Sequence, residues 1–140
     1  MLLAPDQRLE VPATLDAVRD LASWLKVRCL EAEVDEATSF DLELAMVEAA
    51  NNVVEHGYRG MKAGTITLQF GIMDGAVVLT LFDMAPPAPA GLFERCRTVE
   101  LDAPDGRGVM IVRSCVDTVE YRQDGNTNLL TLTKRLPASS

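Results

Sequence analysis

The sequence predicts an α+β fold, a two-layer α/β sandwich in which three helices cover one face of a mostly antiparallel mixed sheet. Apolar residues recur at helical spacing in three segments and alternate with polar residues in five others. Two pairs of alternating segments are joined by short turns that contain Asp-Gly, which is typical of antiparallel hairpins. Each helical segment has one apolar face, so all three can cover the same side of the sheet.

The chain begins with a predicted strand and a predicted helix. Residues 8–11 alternate and predict a short strand, which Pro12 ends. Thr14 follows as a plausible N-cap, since its hydroxyl can accept a hydrogen bond from a backbone N–H of the first turn. We expect a helix over about 14–32, because apolar residues recur there every three or four positions.

A longer helix is predicted for residues 40–58. Thr38 and Ser39 both offer an N-cap for it, and either Gly57 or Gly60 can end it. One broad face of this helix is apolar and the opposite face is polar. The predicted apolar face consists of Leu42, Met46, Ala49, Ala50 and Val53.

Two hairpins surround a third helix in the second half of the chain. Residues 65–72 and 77–83 alternate on either side of Asp74-Gly75, which predicts the first hairpin. Strands over about 117–122 and 128–136 form the second one. The turn between them contains Asp124-Gly125-Asn126.

Residues 84–105 lack clean periodicity and contain several prolines. A segment of this length without regular structure in a compact domain is usually functional, so we expect a lid. The glycines of residues 106–108 then open a short apolar helix over 109–116. We expect the tail, 137–140, to fray.

Length and charge narrow the class of protein. The chain has 140 residues, which predicts a single domain over 1–140. It carries 13 basic and 21 acidic side chains, a net charge of −8, and has no basic patch of the kind that binds nucleic acid. With no run of about 20 apolar residues and no signal peptide, we expect neither membrane insertion nor export, but a cytoplasmic protein. Three cysteines and one histidine predict neither a disulfide framework nor a zinc site.

The polar face of the second helix carries candidate catalytic residues. Glu48, Asn52 and His56 follow one another at four-residue spacing, so they lie within about 80° of arc and about 12 Å along the axis. A carboxylate there can accept a proton, and an amide oxygen one turn on suits Mg²⁺. The alternatives are a polar face that only meets water, and a partly buried histidine bonded to backbone.

Two further features are typical of nucleotide sites. Asp83 ends a strand, where its carboxylate can accept a hydrogen bond from an exocyclic amine such as that of adenine. Gly106 and Gly108 open a helix, where close backbone and free N–H groups favour a phosphate. Arg107 can reach a terminal phosphate. The alternatives are a solvated turn aspartate, glycines present for steric reasons and an arginine that points outward.

In chain order, these motifs resemble the Bergerat-fold (GHKL) ATPases, and within them the small anti-sigma-factor serine kinases of bacteria. The N-box is matched by Glu48-Ala-Ala-Asn-Asn52-Val-Val-Glu-His56-Gly-Tyr58. The G1 box is matched by Asp83-Met-Ala-Pro-Pro87, and the G2 box by Gly106-Arg-Gly108-Val-Met-Ile-Val112. Thr127-Asn128 is similar in position to the family's late threonine near the base. The resemblance spans nearly the whole chain.

The resemblance implies a function and a role for each motif. Glu48 would be the general base for a serine hydroxyl, and Asn52 would hold Mg²⁺. Asp83 would bind the adenine of ATP, and Gly106 and Gly108 would present backbone to its phosphates, with Arg107 near the γ-phosphate. These residues match the family's motifs.

The resemblance also implies partners, and it leaves two other functions open. A kinase of this kind binds a sigma factor, phosphorylates a serine of an anti-anti-sigma (STAS) protein and forms a homodimer. Ala85 stands where the G1 box normally has glycine. This departure motivates a non-catalytic module that sequesters a sigma factor or STAS protein. A nucleotide-binding domain detached from a histidine-kinase relay ranks last, because the chain has no phosphoacceptor helix.

Overall fold

The computed structural model describes residues 7–58, 64–86 and 104–137. The first described range contains the strand β1 (Arg8–Pro12), the helices α1 (Leu15–Glu31) and α2 (Glu36–Asn52), and a π-helical turn, Val53–Gly57. The second contains the strands β2 (Thr65–Met73) and β3 (Ala76–Asp83). The third contains the helix α3 (Pro104–Cys115) and the strands β4 (Thr118–Asp124) and β5 (Thr127–Arg135).

The predicted α+β sandwich is confirmed. Five strands form one sheet in the order β1-β2-β3-β5-β4, and all four pairings between described strands are antiparallel. The register pairs Leu68 with Leu81, and Leu79 with Leu132, so apolar side chains of neighbouring strands share a face. Both predicted hairpins are present.

The three helices pack on this apolar face and bury one core. The largest fully buried apolar side chains come from every layer of the sandwich: Leu21, Leu25, Leu42, Met46, Ile66, Leu68, Val77, Leu79, Leu81, Val112 and Leu132. Leu42, Met46, Ala49 and Ala50 of the predicted apolar face of the long helix are buried, and Val53 is half-buried. No described helix is long and apolar enough to cross a membrane.

Helix α1 begins as predicted and ends at a turn that no residue type in the sequence indicates. The Thr14 hydroxyl accepts a hydrogen bond from the Ala17 N–H at 3.1 Å, which is an N-cap. At the other end, Val34 donates to the carbonyl of Cys29 at 2.9 Å, and Glu33 donates to that of Leu30 at 3.1 Å. These two bonds form a Schellman motif. They place Glu33 at φ 59°, where glycine is the usual residue.

The prediction for the start of the second helix is wrong. The N-cap is Asp35, whose carboxylate accepts the Thr38 N–H at 3.0 Å, and the helix begins at Glu36. Hydrogen bonds from Thr38 lower the pKa of Asp35, because they favour its charged form. Thr38 lies inside the first turn and is buried, so neither it nor Ser39 is a cap. Asp35 is the N-cap because the turn at Glu33 lies only two residues before it, and the second helix begins directly after this turn.

The end of the second helix differs from a simple α-helix. The α-helical geometry ends at Asn52, and the next five residues form the π-helical turn, which Tyr58 closes through an N–H bond to Val53 at 2.9 Å. A π-helical turn needs wider hydrogen-bonded rings than an α-helix and occurs often at functional sites. The predicted boundary at residue 58 is therefore right, although the conformation changes before it.

Helix α3 begins earlier than predicted, at Pro104 and not at residue 109. Proline is favoured at the first helical position because its fixed φ suits a helix and no N–H partner is needed there. Gly106 and Gly108 consequently lie within the first turns of α3. Of the predicted lid, residues 87–103 lie outside the described part of the chain, as do residues 138–140 of the predicted frayed tail.

Glu33→Gly is expected to raise the free energy of unfolding by about 1 kcal/mol, because glycine adopts a positive φ without the steric cost that a Cβ imposes. Urea denaturation followed by circular dichroism measures the change. Glu31→Gly is the control, since the same replacement within α1 should lower stability by about as much. Equal losses in both variants would contradict the assignment of strain to Glu33.

Candidate functional site

Asp83 ends β3 on the face of the sheet that the helices cover. Its strand neighbours are Ile66 on β2 and Asn128 on β5. The residue is 7% exposed, and its Oδ1 accepts hydrogen bonds from the Ala85 N–H at 2.9 Å and from Asn128 Nδ2 at 2.8 Å. Asp83 is therefore a buried, oriented carboxylate and not a solvated turn residue.

Asn128 fixes this cluster and leaves one acceptor unused. Its Nδ2 also donates to the Ala85 carbonyl at 2.8 Å, so both partners of the amide nitrogen are acceptors and the amide orientation is determined. The side chain is 2% exposed, and its Oδ1 has no hydrogen-bond partner among the described residues. A buried acceptor without a partner costs about 1–3 kcal/mol. This oxygen is therefore suited to a donor from outside the protein.

Burial also changes the acidity of the cluster. Removal of the Asp83 carboxylate from water raises its pKa above the usual range for aspartate. Hydrogen bonds from Asn128 and from the Ala85 backbone oppose this effect, because they favour the charged form. A ligand that donates a hydrogen bond to the carboxylate would favour the charged form further.

Tyr58 connects the end of the second helix to the residues around Asp83. Its hydroxyl donates to the Thr65 carbonyl at 2.9 Å and accepts the Met84 N–H at 2.8 Å. The ring is buried against Gly64, where an added Cβ would lie 2.6 Å from the Tyr58 Cζ. Glycine is required at 64 for this close approach. Tyr58 thus positions the backbone directly after Asp83.

Two contacts orient α2 over the sheet. Near its start, Asp41 forms an ion pair with Lys134, at 3.2 Å, close to the end of β5. Beyond its end, Tyr58 contacts Met84, which follows the β3 residue paired with the start of β5. The helix therefore runs from the Lys134 end of the sheet towards the Asp83 end. The second half of the helix, which carries Glu48 and Asn52, is therefore the half nearer to the Asp83 end.

Glu48 meets the glycine-containing start of α3. An added Cβ at Gly108 would lie 3.5 Å from Glu48 Oε2, which is ordinary van der Waals contact. Glu48 and Asn52 are both half-buried, so the polar stripe of the helix is only partly open to solvent. The structure thus brings two of the predicted site residues, Glu48 and Gly108, side by side.

For the remaining predicted residues, the structure describes the backbone but not the side chains. Gly106 and Arg107 lie in the first turn of α3, and the side chain of Arg107 lies outside what the structure describes. The same holds for the side chain of His56, whose backbone belongs to the π-helical turn. Within the described ranges, no three His, Cys, Asp or Glu side chains form a metal site. A Mg²⁺ ion at Asn52 would need oxygen atoms from a ligand and from water.

The sequence did not predict the joint role of Asn128 and Tyr58. Both belong to quoted motifs, but nothing in one sequence shows that they contact the G1 residues. The contact between Asn128 and Asp83 joins residues 45 positions apart. An alternating strand with an amide at a core-facing position is the one signal that could have indicated it, since such an amide needs a partner.

The buried carboxylate at the end of a strand, the half-buried Glu48 and Asn52 and the glycines at the start of α3 are the features that the sequence predicts for a nucleotide site. The family profile described as "Histidine kinase-like ATPase domain" matches residues 11–134. Because this match covers most of the chain, the protein belongs to the histidine kinase-like ATPase domain family. The resemblance to Bergerat-fold proteins is thereby confirmed.

A curated relative gives a more specific similarity. The chain is 24% identical over 96 residues to the serine-protein kinase RsbW of Bacillus licheniformis. The alignment covers 64% of this chain and 60% of the relative. The chain thus matches less than two thirds of the length of that protein.

Solved structures share the fold. The RsbU and RsbW domains of Rv1364c from Mycobacterium tuberculosis match with a TM-score of 0.67 at 22% identity, over 92% of this chain and 32% of that one. A blue-light-activated histidine kinase from Erythrobacter litoralis matches with a TM-score of 0.58 at 16% identity, over 90% of this chain and 62% of that one. The Acinetobacter baumannii histidine kinase AdeS matches with a TM-score of 0.54 at 12% identity, over 93% of this chain and 68% of that one.

Tyr58→Phe is expected to destabilise the fold by about 1–3 kcal/mol, because it removes the partner of the Met84 N–H and of the Thr65 carbonyl. Urea denaturation measures the loss. Gly64→Ala tests the packing of the same ring: it should cost more in the wild type than in a Tyr58→Ala background, where the clash is gone. Equal costs in both backgrounds would contradict this packing.

Asp83→Asn is expected to stabilise the ligand-free protein more at pH 7 than at pH 4. Because the folded pKa is raised, the folded state holds the proton more tightly than the unfolded state, and stability falls as pH rises through the folded pKa. The amide removes this dependence and keeps one oxygen as the acceptor for Asn128. Melting temperatures across this range measure the difference between variant and wild type. A difference in melting temperature that does not change with pH would contradict the raised pKa of Asp83.

Proposed function

We propose that this chain is an ATP- and Mg²⁺-dependent protein-serine kinase of the anti-sigma-factor type, folded as one domain over residues 1–140. It binds a sigma factor and phosphorylates a serine of an anti-anti-sigma (STAS) partner. The family membership and the similarity to the serine-protein kinase RsbW support this proposal. The cytoplasmic location and the homodimer are parts of the same proposal.

The observation that carries the proposal is the buried Asp83 carboxylate together with the unpartnered oxygen of Asn128, the residue to which it is bonded at the end of β3. Asp83 has one carboxylate oxygen, Oδ1, bonded to protein, which leaves Oδ2 for a ligand. Asn128 Oδ1 is buried without a partner in the described chain. Two acceptors at one place suit an exocyclic amine, which offers two N–H donors. Adenine has this group, so the residues present fit the base of ATP.

Glu48 and Asn52 are the proposed chemical centre. ATP would supply the phosphoryl group and Mg²⁺ would offset its charge. Glu48 would accept the proton of the partner's serine hydroxyl, which makes its oxygen a stronger nucleophile. Asn52 lies one helical turn further on and would hold Mg²⁺ through its amide oxygen.

The start of α3 is the proposed phosphate cradle. Gly106 lies in its first turn, where backbone N–H groups have no partner within the helix, and Gly108 follows two residues later, where the absence of a side chain lets a ligand approach the backbone. Glu48 Oε2 lies 3.5 Å from where a Cβ at Gly108 would be, which supports a phosphate cradle next to the proposed base. Arg107 would add a positive charge near the terminal phosphate.

Ala85 favours a second candidate, a non-catalytic module that sequesters a sigma factor or STAS protein. This residue is buried, and its N–H and carbonyl are both engaged in the Asp83 cluster. Its methyl group therefore occupies space where the G1 box normally has none. Weak binding of the base would leave a domain that captures partners without turnover.

Titration calorimetry with Mg-ATP tests nucleotide binding before any partner is known. We expect heat of binding for the wild type and at least a tenfold weaker affinity for Asn52→Ala, because the variant loses a ligand of the metal. Glu48→Gln should bind Mg-ATP as the wild type does. Absence of binding to the wild type would contradict the kinase and leave the capture module.

Transfer of label from ATP to a STAS protein from the same genome then tests catalysis. We expect transfer by the wild type and a loss of at least a hundredfold in Glu48→Gln, since the amide cannot accept the serine proton. Intact signalling in cells that carry Glu48→Ala would favour the capture module. Loss of signalling with capture retained would exclude it.

A further inference from the structure

We propose that the tip of the α1–α2 hairpin is a docking surface for a basic amphipathic helix of a partner protein. The surface consists of Val27, Leu30 and Phe40, named here the hairpin patch. These side chains are 45%, 70% and 64% exposed, respectively. The patch lies at the start of α2, about 12 Å along the helix axis from Glu48, so it is separate from the proposed nucleotide site.

One ion pair and the helical spacing bring the patch residues of the two helices to the same end of the hairpin. Lys26 of α1 forms an ion pair with Glu43 of α2 at 3.9 Å. Leu30 follows Lys26 by one turn and Phe40 precedes Glu43 by almost one turn, so both residues lie on the tip side of this pair.

The apolar side chains are not needed for the core. The core residues of α1 and α2 lie on other faces of these helices, among them Leu25, Cys29 and Leu42. Single exposed apolar residues are common on protein surfaces, but three that adjoin across two helices form a patch. Exposed apolar side chains on two helices that pack together suit the apolar face of a third helix.

The charge around the patch identifies the partner's chemistry. Glu33 and Glu36 are exposed, and neither forms a salt bridge in the described part of the chain. Asp35 lies between them, and its lowered pKa keeps it charged. The chain as a whole carries a net charge of −8. A partner helix with lysine or arginine beside its apolar stripe would complement this rim and be steered towards it.

The test measures binding of a labelled 18-residue helical peptide with a leucine stripe flanked by lysines, followed by fluorescence anisotropy. Its matched control carries glutamate in place of lysine. We expect the lysine peptide to bind at least tenfold more tightly than the glutamate peptide. The affinity should fall as salt is raised, because the rim charges are exposed.

Variants of the full chain locate the binding. Leu30→Ser combined with Phe40→Ser should weaken binding of the lysine peptide at least tenfold, whereas Met73→Ser, at an exposed apolar residue of the β2–β3 hairpin, should not. Glu33→Gln combined with Glu36→Gln should reduce the salt dependence. Since the patch residues are exposed, all variants should melt as the wild type does.

Three results would overturn the proposal. The first is equal binding of both peptides, and the second is equal binding by the wild type and the Leu30, Phe40 double variant. The third is a dimer in sedimentation equilibrium that the double variant abolishes, which would assign the patch to a second copy of this chain.

Discussion

The burial of the Asp83 carboxylate is the constraint on which the proposed site depends. An aspartate at the end of a strand, on the face that three helices cover, needs hydrogen-bond donors that water cannot supply there. The pairing of β3 with β5 supplies Asn128, and the turn after β3 supplies the Ala85 N–H. A shift of one residue in this register would turn Asp83 to the opposite face. The register of the sheet therefore determines whether a buried acceptor exists at this end of β3.

The helix layer is held in place relative to the same end of the sheet, where Asp83 lies. Helix α2 is held near its start by the ion pair between Asp41 and Lys134, and beyond its end by the hydrogen bonds of Tyr58. Buried apolar residues fix its rotation, so Glu48 and Asn52 point away from the centre of the core. The proposed base and metal ligand thus take their position from packing and from two polar contacts, and not from any bond to one another.

Sequence patterns predicted what depends on local periodicity and missed what depends on distant contacts. The five strands, both hairpins and the Thr14 cap follow from alternation, from Asp-Gly turns and from a hydroxyl before an apolar run. The start of α2 was wrong because Glu33 takes a positive φ without being glycine, so the turn before Asp35 carries no sequence signal. The start of α3 was late, although Pro104 carried a signal for a first helical position.

The same distinction holds for the site. Glu48, Asn52 and Asp83 were selected by residue type and spacing, which one sequence contains. The cluster of Asp83 with Asn128 requires knowledge of strand register, and the role of Tyr58 requires the path of the chain after the π-helical turn. Both are tertiary properties, since they join residues that are 45 and 26 positions apart.

Ala85 shows how the structure limits the meaning of a departure from a family motif. Positive φ among described non-glycine residues occurs at Glu33 and Asp74, and Ala85 does not share it. The backbone there suits alanine, and its two hydrogen bonds in the cluster use main-chain atoms, which any residue but proline provides. The change from glycine therefore imposes no strain on the fold. Its consequence is confined to the space beside the carboxylate, where one methyl group and the base of a nucleotide would meet.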